Sequence, residues 1–180
     1  LGGERGTVLF DGYSLFTSNA CASGLFALES AVRQIKYGGS DTVLLAGGDV
    51  ANTMFKHLWF KEQRIYAEDG KMKPFSKNAD GIVLGDGTSA LVLEELVHAR
   101  KRGAHIYAEI LGYGLSCDAY HATIPHPAGI IKAMEKALRE SGLSYGSVDY
   151  ISAHGTGTAM NDKVESQAIS YTAGVPPAAA

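Results

Sequence analysis

Cys21 stands in the run Thr17-Ser-Asn-Ala-Cys-Ala-Ser-Gly24, between a short apolar stretch and a long amphipathic helical pattern. A thiol at the first turn of a helix faces backbone N–H groups that have no helical partner, and the positive end of the helix dipole. Both favour the thiolate, which is the nucleophilic form. Glycine and small neighbours allow a sharp strand-to-helix turn that exposes the sulfur. The same N–H groups are suited to hold an oxyanion once a thioester is attacked. The bland alternative is a small buried cysteine on a core helix.

A second group follows far downstream. His154 opens the run His154-Gly-Thr-Gly-Thr158 directly after an apolar strand pattern. Its bland reading is a histidine that satisfies a backbone group at a strand end. Its functional reading is an imidazole at the carboxyl end of a strand, where α/β sheets commonly place ligands. The two glycines let backbone approach a ligand closely, and Thr156 and Thr158 offer hydroxyls to amides or carbonyls. The run lacks the lysine of GxxxxGK[ST] and is not GxGxxG, which argues against nucleotide binding. A cysteine and an imidazole at two strand–helix turns fit a nucleophile assisted by a base.

Other titratable residues carry weaker signals. His121 and His126 lie in the loop DAYHATIPHP at 118–127, placed to line a cleft, whereas His57, His98 and His105 read as solvated. Asp69, Asp80 and Asp86 read as turn and loop formers. Asp162 and Glu165 read as carboxylates favoured by a helix N-terminus.

Composition narrows the classes. The 180 residues are 46% apolar and 19% charged, which suits a globular domain or a piece of a larger one. A net charge of −3 gives no basic footprint, so nucleic acid is not expected as a partner. The two cysteines, Cys21 and Cys117, form no disulfide framework and no zinc spacing, so no metal is expected. No apolar stretch approaches the roughly 20 residues of a membrane span, and the default location is cytoplasmic. Both ends of the chain look cut.

The elements that must position these groups alternate along the chain. Strand patterns occur at 15–18, 42–46, 88–94, 106–113 and 148–152, the second and last reading as strands buried on both faces. Helical patterns occur at 23–37, through 102, at 129–141 and at 162–171, with glycine stops at 38–39, 103 and 142. Interleaved strands and helices with short connections predict an α/β fold with helices covering a mixed sheet.

Five segments in order then resemble one family. They are NACASG around Cys21, VLLAGGD at 43–49, MKPFSKNADGIVLGDGTSALVLEEL at 72–96, GYGLSCDAYHATIPHP at 112–127 and YISAHGTGTAMNDKVESQAI at 150–169. Together they resemble the middle of a β-ketoacyl synthase (ketosynthase) of the thiolase-like superfamily. The third and fourth segments look most like the bacterial β-ketoacyl-acyl-carrier-protein synthase II type, and HGTGT is closer to polyketide ketosynthases. The resemblance assigns residues 13–169 to the central part of a ketosynthase domain. Residues 1–12 stay unassigned and 170–180 form an unmatched tail.

The resemblance implies part of a thiolase-like layered αβαβα fold with mixed sheets. It implies that Cys21 accepts the acyl group, with its own N–H as half of an oxyanion hole, and that His154 helps decarboxylate a malonyl extender and stabilise the enolate. It implies that Thr156, Thr158 and Thr123 contact the phosphopantetheine arm of an acyl carrier protein. No cofactor is implied, and a homodimer is, with residues 15–18 at its interface. The family's second histidine, lysine segment and gating loop are expected downstream of these residues, so the chain alone is not expected to complete condensation. Asn19, Ser76 and Asp86 depart from the usual threonine, aspartate and glutamate. Two other functions fit less well: a truncated, non-elongating ketosynthase-like binding or dimerisation partner, and a thiolase-superfamily acyltransferase that does not decarboxylate.

Overall fold

The computed structural model describes residues 12–51, 53–121 and 123–174. The N-terminal segment 1–12 lies outside them except for Gly12, as does the tail from 175 on. The chain divides into two compact units. One is Leu1–Gly47 with Ser89–Ile106, and the other is Gly48–Thr88 with Tyr107–Ala180.

In the first unit, helix α1 (Ser23–Lys36) buries Ala31 and half-buries Leu28, Val32 and Ile35; of the apolar positions expected from the sequence, Leu25 is instead exposed. Arg33 pairs with Glu29 one turn earlier at 3.3 Å. Gly38, at φ +72°, takes the left-handed conformation that ends the helix, and its N–H donates to the Ile35 carbonyl. Strand β1 (Thr42–Asp49) pairs with β2 (Gly87–Glu94). Glu95 N–H donates to the Asp41 carbonyl at one end, and Gly48 lies against Thr88 at the other, so the pair is antiparallel. In β1 only Val43 and Leu45 are half-buried, while Leu44 is exposed. The strand is thus covered on one face, not on both as its apolar run suggested. Helix α3 (Leu96–Lys101) follows, capped by Glu95, whose carboxylate accepts the His98 N–H at 2.7 Å.

The second unit holds α2 (Met54–Glu62), α4 (Pro127–Ser141), a 3₁₀ turn (Tyr145–Ser147) and α5 (Ala159–Thr172). Helix α2 escaped the sequence reading. Its only local signal is Thr53, whose hydroxyl accepts the Lys56 N–H at 3.3 Å, and it buries no residue. Helix α4 starts two residues earlier than periodicity indicated, because Pro127 suits the first turn and the His126 side chain caps it. It packs on α5, where the Thr172 hydroxyl lies 3.9 Å from Met134 Sδ. The segment carrying Gly112 and Gly114 runs directly against α4. A Cβ on Gly114 would sit 1.9 Å from the Ala133 carbonyl oxygen, so only glycine permits this approach.

Three expected strands are absent as ladders. Residues 15–18, 106–113 and 148–152 have no strand partner among the described residues. A strand pattern specifies a pleated, half-covered segment, but the ladder requires a neighbour to supply the other half of each hydrogen bond. Many of their side chains are open, with Phe16 89%, Tyr107 93% and Tyr150 82% exposed, while Val148 and Ile151 are half-buried.

Candidate active site

Cys21 lies in the first unit, on the turn just before α1. Ala20 takes φ +49°, a left-handed conformation that costs a residue with a Cβ about 1 kcal/mol or more. Four hydrogen bonds hold it. The Ala22 N–H donates to the Asn19 carbonyl and the Ser23 N–H to the Ala20 carbonyl, each at 3.1 Å, while the Asn19 N–H donates to Ser23 Oγ at 2.7 Å. Ser23 Oγ returns a bond to the Ala20 carbonyl at 2.7 Å. The turn leaves Cys21 exposed, which removes the buried-cysteine reading. Cys21 precedes the helix rather than standing in its first turn, and the Ala22 and Ser23 N–H groups are already used by the turn itself.

His154 lies in the second unit, where a buried pair of carboxylates builds its loop. Glu165 Oε1 accepts the His154 N–H at 2.6 Å, and its Oε2 accepts the Gly155 N–H at 2.8 Å. Asp162 Oδ2 accepts the Phe75 N–H at 2.7 Å, and its Oδ1 accepts the Gly157 N–H at 3.1 Å. The Asn161 amide bridges the two carboxylates at 3.3 Å to each. Glu165 and Asp162 are only 8% and 6% exposed. Burying two carboxylates is costly unless donors replace the lost water, and four backbone N–H groups do so here. These residues are therefore more than dipole-matched helix starters: from the first turns of α5 they reach back and fix the loop. An acidic i, i+3 pair just after a glycine-rich run was the available signal.

Within that loop the structure brings three expected site residues together. His154 is exposed, Thr156 and Thr158 are half-buried, and the two hydroxyls meet at 2.8 Å. Gly155 and Gly157 take φ +51° and +77°. A Cβ on Gly157 would meet the Gly81 carbonyl oxygen at 2.7 Å, so the loop lies directly on the 72–82 segment. Lys73 anchors that segment between Asp69 at 3.1 Å and Asp80 at 3.0 Å, and Asp69 Oδ1 also accepts the Lys71 N–H at 3.1 Å as a turn former does. The Lys73 ammonium holds the Asp80 carboxyl below the usual range. Asp86 Oδ1 accepts the Ala51 N–H at 2.7 Å.

Thr123 lies in a third loop, separate in sequence and held by its own side chains. His121 Nδ1 accepts the Thr123 and Ile124 N–H groups at 3.1 and 3.2 Å, with Thr123 Oγ1 at 3.4 Å. Asp118 accepts the N–H groups of His126 at 2.9 Å and Tyr120 at 3.1 Å, and these bonds hold its carboxyl below the ordinary value. His121 and His126 thus order the loop. His57, His98 and His105 are exposed as expected, though His57 Nδ1 meets Tyr66 Oη at 2.8 Å and His98 Nδ1 meets Glu94 at 2.5 Å. Among the described residues no three His, Cys, Asp or Glu side chains converge on a metal-sized space.

Comparison with known structures identifies the class. A β-ketoacyl synthase from Burkholderia phymatum matches with a TM-score of 0.84 and 37% identity, over 88% of this chain and 40% of that one. A ketosynthase solved with its type II polyketide acyl-carrier protein matches with a TM-score of 0.81 and 36% identity, over 86% of this chain and 40% of that one. The mixed α/β structure is thus part of the thiolase-like layered fold. In sequence, the beta-ketoacyl synthase N-terminal domain matches residues 7–99 and the C-terminal domain residues 107–178. The chain belongs to the β-ketoacyl synthase family. The 3-oxoacyl-[acyl-carrier-protein] synthase 2 of Coxiella burnetii is 40% identical over 162 residues, which cover 86% of this chain and 39% of that protein. The chain therefore spans about two-fifths of the length of these relatives.

Proposed function

We propose that the protein to which this chain contributes is a β-ketoacyl synthase acting on carrier-bound acyl thioesters. Cys21 Sγ attacks the acyl thioester, the carrier's thiol leaves, and the acyl group is held as a thioester on Cys21. Malonyl-carrier-protein then loses CO₂ to give an enolate, whose oxygen accepts a hydrogen bond from the His154 imidazole. The enolate carbon attacks the acyl carbonyl, Cys21 leaves as thiolate, and a β-ketoacyl-carrier-protein is released. The Cys21 N–H serves as one donor to the oxyanion of each tetrahedral intermediate, a contribution worth about 3 kcal/mol per donor. Thr156, Thr158 and Thr123 bind the phosphopantetheine arm, the first two by turning their shared hydroxyl bond toward it. The site takes no metal or redox cofactor, its location is cytoplasmic, and the assembly is a homodimer through residues 15–18.

The observation that carries this reading is the Ala20–Cys21 turn. A strained turn that presents an exposed thiol just before a helix start suits nucleophilic catalysis. Carrier-protein binding is supported by the relative solved with its acyl-carrier protein. The test is incubation of the full-length protein with malonyl-carrier-protein and an acyl primer. Release of CO₂ together with β-ketoacyl product supports condensation. Acylation without CO₂ release identifies a non-decarboxylating acyltransferase, and neither event identifies a non-elongating partner.

A further inference from the structure

Among the described residues four non-glycine positions take positive φ: Ala20, Arg64, Phe75 and Ala119. Ala20 adjoins Cys21. Phe75, at φ +57°, is the bulkiest residue in this group to touch a candidate catalytic loop, and left-handed backbone is most unfavourable for such side chains. Glycine would take this conformation without strain, so the phenyl ring must contribute something glycine cannot.

Two contacts show what it contributes. The Phe75 N–H donates to Asp162 Oδ2 at 2.7 Å, while the other oxygen of that buried carboxylate holds the Gly157 N–H at 3.1 Å. The ring meanwhile lies over Gly155, close enough that a Cβ there would meet Phe75 Cε2 at 3.1 Å. Backbone and ring thus grip the loop at the residue after His154 and again two residues later. If Phe75 relaxed to an ordinary φ, it would draw its N–H from Asp162 or lift its ring from Gly155.

We propose that Phe75 is a positioning residue that sets the placement of His154 through Asp162 and Gly155. The inference rests on the proposed role of His154 in the reaction, but its test uses no substrate. In the 180-residue chain labelled with ¹⁵N and ¹³C, the His154 imidazole and Gly155 amide signals are assigned by loss in His154→Asn and Gly155→Ala. Phe75→Gly relieves the strained φ and removes the ring; Phe75→Tyr keeps the ring. The expected result is that Phe75→Gly retains its helical circular dichroism yet shows His154 and Gly155 signals shifted or split. His98 and His105 signals should stay in place, and Phe75→Tyr should match the parent.

Unmoved His154 and Gly155 signals in folded Phe75→Gly would overturn the proposal. Loss of helical circular dichroism in both Phe75→Gly and Phe75→Leu would also overturn it, because Phe75 would then be a stability residue only. Failure of Cys21 to accept acyl groups leaves this inference standing and removes the functional reading instead.

Discussion

Glu165 holds the backbone N–H of His154 at 2.6 Å, and the same buried carboxylate takes the Gly155 N–H at 2.8 Å. One side chain on α5 therefore fixes two consecutive peptide groups and leaves the imidazole exposed. The consequence is testable by replacement. Glu165→Gln keeps one oxygen acceptor but turns an amide NH₂ toward the other N–H, leaving it unsatisfied. We expect a loss of about 1–3 kcal/mol in urea unfolding, and more for Glu165→Ala. In the full-length protein, CO₂ release from malonyl-carrier-protein should fall further than acylation of Cys21.

The approach of Gly114 to α4 predicts a contrast between two glycines. Gly114→Ala would place a methyl group 1.9 Å from the Ala133 carbonyl oxygen, against backbone that cannot swing aside. Its expected cost is about 3 kcal/mol, at the upper end for overpacking. Gly24, inside α1, has open space around its Cα, so Gly24→Ala should gain up to about 1 kcal/mol of helix propensity. Thermal unfolding of the two variants beside the parent checks both signs.

Much of the scaffold was legible in the sequence, and the omissions have physical reasons. Helices α1 and α4 follow from apolar periodicity with glycine stops after them, and α5 was expected at 162–171 but begins three residues earlier, at Ala159. The glycine freedom at 155 and 157 follows from residue type, whereas the exposure of Cys21 was one of two open readings and is settled by the structure. Helix α2 was missed because it buries nothing, so periodicity had no core stripe to report. The segments 106–113 and 148–152 have strand composition, but a ladder is a property of two chain segments and cannot be read from one. Asp162 lies in the first turn of α5 as expected, whereas Glu165 stands one turn further in; their partners lie 87 and 10–11 residues away, and spacing gives no hint of Phe75.

Glu94 gives the protein an acid-sensitive support. The Arg102 guanidinium, with His98 beside it, pulls the Glu94 carboxyl down from 4.5 to about 2. A carboxylate whose value is lowered on folding contributes stability fully above about pH 4.5 and loses it as pH falls toward about 2. Arg102→Ala should therefore destabilise the chain at pH 7 and lose that difference progressively below pH 4.5. Urea midpoints measured across that range for parent and variant test the sign.

The open apolar side chains predict association. Leu15 and Phe16 stand 52% and 89% exposed shortly before Cys21, in the segment proposed to meet a second copy. Light scattering of the 180-residue chain should give a mass above that of a monomer, and Phe16→Asp should lower it. A well-folded parent monomer at the same concentration would count against the interface.

The central claim is that Cys21 is the acyl-accepting nucleophile. Cys117, the chain's other cysteine, is also exposed and serves as an internal control. The direct measurement is peptide mass spectrometry of the full-length protein after incubation with an acyl-carrier-protein thioester. One acyl group is expected on the Cys21 peptide, none on the Cys117 peptide, and none in Cys21→Ala. An unmodified Cys21 peptide, or equal labelling of both cysteines, would contradict it.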